Sequence, residues 1–219
     1  MWRRHRWDAP TAAAYAPCTR LEGLTLRRAL LGGTFDPPHI GHLAVAQAAW
    51  EQLDVDVVTF LPAGQPWQKS NERGITPAAI RCEMTAAAIG GVAHFEMDRR
   101  EADREGPTYT WDTIVSFDGD RVVLVLGADA AAGVDTWYRS RELIERTDIA
   151  VVGRPGIRRA DVEAVLGPDV RWLDMPALDL SSTDLRRLVG CGYTARFLIP
   201  DAVREVIARH GLYSDQTQH

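Results

Sequence analysis

Two histidines three residues apart, set among glycines and prolines, are the residues here best suited to chemistry. They stand in Gly32-Gly-Thr-Phe-Asp-Pro-Pro-His-Ile-Gly-His42. Paired glycines let backbone N–H groups approach a ligand closely, and the prolines fix a turn that cannot extend a strand. His39 and His42 can face one site across a first helical turn. A helix N-terminus there adds free N–H donors and partial positive charge. Such donors suit a phosphate and strengthen as charge develops on it. Two histidines at this spacing also suit a metal, but no third ligand stands nearby, so no protein-held metal is expected.

Far downstream, Leu180-Ser-Ser-Thr-Asp-Leu-Arg186 has the makings of a second phosphate site. Ser181, Ser182 and Thr183 offer hydroxyls and a helix cap, and Arg186 projects from the following turn as a bidentate donor. Lys69 is the only lysine among 25 basic residues. It reads either as a mobile charge for a phosphate or as a solvated loop residue.

These residues need elements to hold them. The apolar run Ala29-Leu30-Leu31 stops at Gly32-Gly33 and predicts a buried strand entering a turn. A helix follows over 40–53, with Leu43, Ala46, Gln47 and Trp50 on one side. Further strands are expected at 55–61, 94–97, 122–126, 149–152 and 170–173. Helices are expected at 77–89, 110–117, 139–147, 161–166, 184–189 and 201–210, the first of them with Pro77 in its opening turn. Strands alternating with helices, several of them apolar on both faces, predict an α/β fold: a Rossmann-like, doubly wound parallel sheet with helices on both sides. Ligands in such folds bind beyond the carboxyl ends of the strands, where strand order reverses.

The 219 residues suit one domain with a small appendage. Residues 1–28 hold six Arg against Asp8 and Glu22, a local charge of +4, while the whole chain carries -5. That segment has no secretory apolar core. It reads as a disordered leader, a transit-type extension or an early start, ahead of a single domain over 29–213 and a tail over 214–219. The acidic balance excludes general nucleic-acid binding, and no apolar run is long enough to span a membrane. Three scattered cysteines (Cys18, Cys82, Cys191) make no disulfide framework and fit reduced thiols in a cytoplasmic protein.

The first string resembles the T/HxGH signature of the nucleotidyltransferase superfamily, and the second resembles its SSTxxR signature. Pro62-Ala-Gly-Gln-Pro-Trp-Gln-Lys69 and Gly106-Pro-Thr-Tyr-Thr-Trp-Asp-Thr113 resemble two segments of the bacterial nicotinate-nucleotide adenylyltransferases. Gly127-Ala-Asp129, Thr136-Trp-Tyr138, Arg154-Pro-Gly156 and Leu212-Tyr213 resemble four more, in the family's order. The similarity spans about residues 29–213. It implies transfer of the adenylyl group of ATP to nicotinate mononucleotide, with Mg2+ carried by the triphosphate. It implies catalytic roles for His39, His42, Lys69 and Arg186. ATP would meet Gly33, Thr34, His42, Ser182, Thr183 and Arg186. On the acceptor side it implies ring stacking on Trp137 and carboxylate contacts at Tyr138 and around Tyr109 and Thr110. Asp129 would meet a ribose, and Arg154 would sit near the phosphates. Taken alone, Trp137 reads as core packing; its setting among the family's segments carries the stacking role.

Other readings share the phosphate logic. His39-Ile-Gly-His42 also matches the first signature of class I aminoacyl-tRNA synthetases, but a short acidic chain with one lysine cannot supply their lysine-rich loop. Nicotinamide mononucleotide or phosphopantetheine are alternative acceptors, and a sensor that cradles ATP without turnover is a third class. Pro66-Trp67 and residues 103–106 depart from the family's usual pattern. Adenylyltransferases of this fold often self-associate, so a homo-oligomer is a further expectation.

Overall fold

The computed structural model describes residues 25–64 and 74–214. Six strands form one parallel sheet: β1 (Arg27–Gly33), β2 (Val57–Pro62), β3 (Phe95–Met97), β4 (Arg121–Gly127), β5 (Asp148–Val152) and β6 (Arg171–Leu173). Their spatial order is β3-β2-β1-β4-β5-β6. Every pairing is parallel. The winding therefore reverses between β1 and β4, the doubly wound arrangement expected from the alternation of elements.

Alternation along each strand feeds two cores. Ala29 and Leu31, with Val123 and Val125, face one side and meet Ala46, Ala49 and Leu53 from α1 (Ile40–Gln52) and its end, and Ile89 from α2 (Ala78–Ile89). Leu30, Leu124 and Leu126 face the other side. There they meet α3 (Thr110–Val115), α4 (Ala128–Ala131), α5 (Ser140–Arg146) and α6 (Arg159–Leu166). Burial on both faces explains why the middle of β4 is continuously apolar and why β2 is apolar but for Thr59, whose hydroxyl bonds to Glu96. A third cluster packs Met84 of α2 against Leu185 of α7 (Ser182–Gly190) and Val203, Val206 and Ile207 of α8 (Asp201–Arg209). It seats the C-terminal helices beside the first half of the sheet.

Each predicted element is present, with ends shifted by a few residues. Two short ones were not expected: α4, and a single 3-10 turn at Val134–Thr136. The stripe assigned to α1 is also corrected. Its buried residues are Ala46, Ala48 and Ala49, small side chains that let the helix lie close to the sheet. Trp50 is instead exposed at the margin, stacked on His94 with ring centroids 3.9 Å apart. Among the described residues no helix is long and apolar enough to cross a membrane.

Candidate active site

Five of the strand ends at the carboxyl edge of the sheet supply the residues singled out above. The turn after β1 runs from Thr34 to His39 and opens α1. His39 is the N-cap of that helix: its side chain accepts from the Gly41 N–H, while the His42 side chain accepts from the His39 N–H, a reciprocal capping box. Both acceptors are Nδ1, at 3.2 Å. Each neutral ring therefore carries its proton on Nε2 and has it to give. The rings lie 3.8 Å apart, and Phe35 meets His42 edge-on. Gly41 is required by this arrangement, because a Cβ there would sit 2.9 Å from His39 Cε1.

Burial, with the positive charge of Arg154 nearby, lowers the His39 pKa to about 4. Burial, His39 and Arg154 push His42 well below the usual histidine range. The pair is thus uncharged at neutral pH and acts through N–H donors rather than as imidazolium.

The second motif braces the first. Ser181 caps α7, its hydroxyl oxygen accepting from the Asp184 N–H at 3.1 Å. Ser182 Oγ donates to Pro37 O at 2.9 Å, and Arg186 Nη1 donates to Asp36 O at 2.8 Å. Arg186 Nη2 also reaches Thr183 Oγ1 at 3.3 Å. The Ser182 hydroxyl proton is therefore spent on the turn, whereas Thr183 keeps its own. The backbone N–H groups of Ser182 and Thr183 open α7 without intrahelical partners.

Together these residues line a cleft of about 220 Å³ that holds Thr34, His39, His42, Asp129, Arg154, Ser182, Thr183 and Arg186. Asp129 follows β4, Arg154 follows β5, and the two pair across the cleft at 3.5 Å. Gly127 makes room for that pair; a Cβ there would stand 2.6 Å from Asp129 Oδ1.

A second cavity of about 230 Å³ adjoins it. Gly33, Thr34, Tyr109, Thr110, Trp137 and Tyr138 line it with Leu30, Leu61 and Leu126. The Tyr109 and Tyr138 rings are 4.7 Å apart. Thr34 belongs to both cavities, so the two meet at the point where the winding reverses.

The residues expected from sequence thus divide into two groups. Asp129 and Arg154 lie with the histidines in the polar cleft, apart from the aromatic acceptor residues. Gly33 lies on the aromatic side. Trp137 both packs on the core and lines the cavity. Lys69 and Trp67 lie outside the described residues.

Three contributors escaped the sequence reading. Asp36, 1% exposed, accepts from Thr76 N at 3.1 Å and from the Tyr213 hydroxyl at 2.7 Å. Arg81, also 1% exposed, donates to the carbonyls of Thr34, Ala63, Gly64 and Thr76, so one guanidinium fixes the loops leaving β1 and β2. Glu101 is buried in the wall of the aromatic cavity. Asp36 stood inside the first motif and Tyr213 in the C-terminal segment, so both were visible as types though not as partners.

Comparison with known proteins places this geometry. Residues 30–188 match the cytidylyltransferase-like family model. A probable nicotinate-nucleotide adenylyltransferase of Exiguobacterium sibiricum is 41% identical over 189 residues, covering 84% of this chain and 97% of that protein. Its counterpart in Acidothermus cellulolyticus is 38% identical over 203 residues, covering 88% and 97%. The nicotinic acid mononucleotide adenylyltransferase of Plasmodium falciparum, solved with NaAD, superposes with a TM-score of 0.71 at 15% identity, covering 86% and 98%. That last likeness is one of fold.

Proposed function

The chain belongs to the cytidylyltransferase-like family, among its nicotinate-nucleotide adenylyltransferases, and from that premise we propose how its own residues carry the reaction. It transfers the adenylyl group of ATP to nicotinate mononucleotide, giving deamido-NAD and pyrophosphate. An oxygen of the mononucleotide's 5′-phosphate bonds to the α-phosphorus of ATP, and the bond from that phosphorus to the bridging oxygen of pyrophosphate breaks. No covalent enzyme intermediate is needed. The protein's task is positioning and charge stabilisation.

One observation carries the assignment of parts: a polar cleft and an aromatic cavity meet at Thr34. ATP phosphates fit the first and a pyridine ring the second, which brings the acceptor phosphate beside the α-phosphate. His42 donates from Nε2–H to an α-phosphate oxygen, and His39 assists from the same turn. Because both rings are neutral beforehand, binding costs no displaced counter-charge, and the bonds strengthen as charge builds in the transition state. The N–H groups of Ser182 and Thr183, the Thr183 hydroxyl and the Arg186 fork hold the departing phosphates. Arg154 supplies a further positive charge. Lys69 would bring a mobile one, as the family resemblance implies.

On the acceptor side, Trp137 stacks on the ring. The Tyr138 N–H takes no backbone partner among the described residues, which leaves it for the ring's carboxylate beside the Tyr109–Thr110 segment. Asp129 reaches a ribose. Mg2+, arriving on the triphosphate, would neutralise phosphate charge. The site fits a metal held by phosphate and water: Asp36 has both carboxylate oxygens engaged, and among the described residues only Asp129 presents an exposed carboxylate in the cleft.

Pyrophosphate release with ATP and Mg2+ tests this reading, comparing nicotinate mononucleotide, nicotinamide mononucleotide and phosphopantetheine as acceptors. Preference for the nicotinate form is expected. Preference for another acceptor would keep the phosphate machinery and overturn the ring-side roles. Release with none would leave a nucleotide-binding protein without turnover.

A further inference from the structure

The ring of a pyridine mononucleotide is a quaternary cation, and the cavity assigned to it holds a buried carboxylate that phosphate transfer does not use. Glu101 lines that cavity with Tyr109, Trp137 and Tyr138 and is 8% exposed. Its Oε1 accepts from the Thr113 hydroxyl at 2.7 Å. Arg100, beside it in sequence, is committed elsewhere: it pairs with Asp98 at 2.7 Å and lies 3.5 Å over the Phe117 ring. Among the described residues Glu101 makes no ion pair. Burial raises its pKa above the ordinary glutamate value, while the Thr113 hydrogen bond and Arg104 pull it part of the way back. The carboxylate is hydrogen-bonded but lacks a contacting counter-charge.

We propose that Glu101 reads the positive charge of the acceptor's pyridinium ring, forming with the faces of Tyr109 and Trp137 a cation-selective pocket. The inference rests on the nicotinate mononucleotide reading above. Aromatic faces attract a cation through their quadrupole, and a carboxylate as buried as that of Glu101 attracts it more strongly than one in bulk water. The same carboxylate repels the ring's own carboxylate. It therefore turns that group away, towards the Tyr138 N–H. Glu101 sets both what kind of ring enters and which way round it lies.

The test uses Glu101→Gln, which keeps an oxygen for Thr113 and removes the charge. Two ligands are compared: nicotinate mononucleotide, and a neutral isostere in which a carbon-linked benzoic acid ring replaces the pyridinium. In the variant, the KM and Kd for nicotinate mononucleotide should rise roughly tenfold, with kcat and the KM for ATP within about twofold. The Kd for the neutral isostere should not move. Glu101→Asp, which restores charge, should recover part of the loss. Equal weakening of both ligands, or none of either, would overturn the proposal. Wild-type protein provides a measurement that does not depend on the variant folding: it should bind the cationic ring at least roughly tenfold more tightly than the neutral one, and equal affinities would again overturn it. If wild-type protein neither binds nor turns over nicotinate mononucleotide, the functional reading fails and this inference with it.

Discussion

The Tyr213 hydroxyl donates to Asp36 Oδ1 at 2.7 Å, joining residues 177 positions apart. Asp36 sits in the turn that presents His39 and His42, and its backbone carbonyl is held by Arg186. The last described segment of the chain thus fixes the first chemical motif. Tyr213→Phe should lower stability by about 1.5–3 kcal/mol, the usual worth of a hydrogen bond to a charged group. It should also reduce kcat more than it raises the KM for ATP. Urea unfolding and steady-state kinetics on the same preparation check both.

His42→Ala should reduce kcat by about 10²–10³, the usual cost of losing a donor to developing charge. It also removes the acceptor for the His39 N–H, so a stability loss of about 0.5–1 kcal/mol should accompany it. His39→Ala should cost more stability, since His39 is the N-cap itself. Pyrophosphate release and thermal unfolding of the two variants separate these contributions; near-normal turnover without His42 would remove it from the mechanism.

Protonation should destabilise the unliganded fold. The His39 pKa is about 4 in the folded state against 6.5 unfolded, and His42 is lowered as well. A depressed folded pKa contributes stability that is full above the unfolded value and is lost as pH falls towards the folded one. Stability should therefore fall between pH 6.5 and about 4, by on the order of 2–3 kcal/mol from His39. Bound ATP should shrink the fall, since phosphates favour the charged rings. Denaturant titrations at several pH values, with and without ATP, show whether the double His39→Ala, His42→Ala variant loses this slope.

Arg186→Lys keeps the charge but loses the planar fork that reaches Asp36 O and Thr183 Oγ1 together. The KM for ATP should rise roughly tenfold or more, as one bidentate contact becomes a point charge. The KM for the acceptor should change little. A similar rise for both substrates would place Arg186 elsewhere in the reaction.

What could be read in advance divides along physical lines. β4 was legible because both its faces are buried, leaving an unbroken apolar run, and β2 because its residues are rich in β-branched side chains and stop at Pro62. His39 and His42 were legible because their geometry is local to one helical turn. Glu101 was not: it lies in a charged stretch, Asp98-Arg-Arg-Glu-Ala-Asp-Arg-Glu105, that looks like solvated surface. Arg81 was hidden for a similar reason. An arginine on an alanine-rich helix reads as exposed until four carbonyls, three of them from the loops after β1 and β2, converge on it. Trp50 misled in the opposite sense, since its size suggested the core while three alanines occupy that face. α4 has four residues, too few for a helical period to register.

The braces from Arg186 and Tyr213 onto the turn at Asp36 bear on how the enzyme comes into being. A ribosome making this chain completes the histidine turn first and the residues that steady it 150 and 177 positions later. Until then the growing polypeptide has strands and imidazoles but no finished clamp for triphosphate. A product cut short before Arg186 lacks the clamp, and one ending before Tyr213 lacks its latch. A fully braced transferase therefore requires synthesis to run at least through Tyr213.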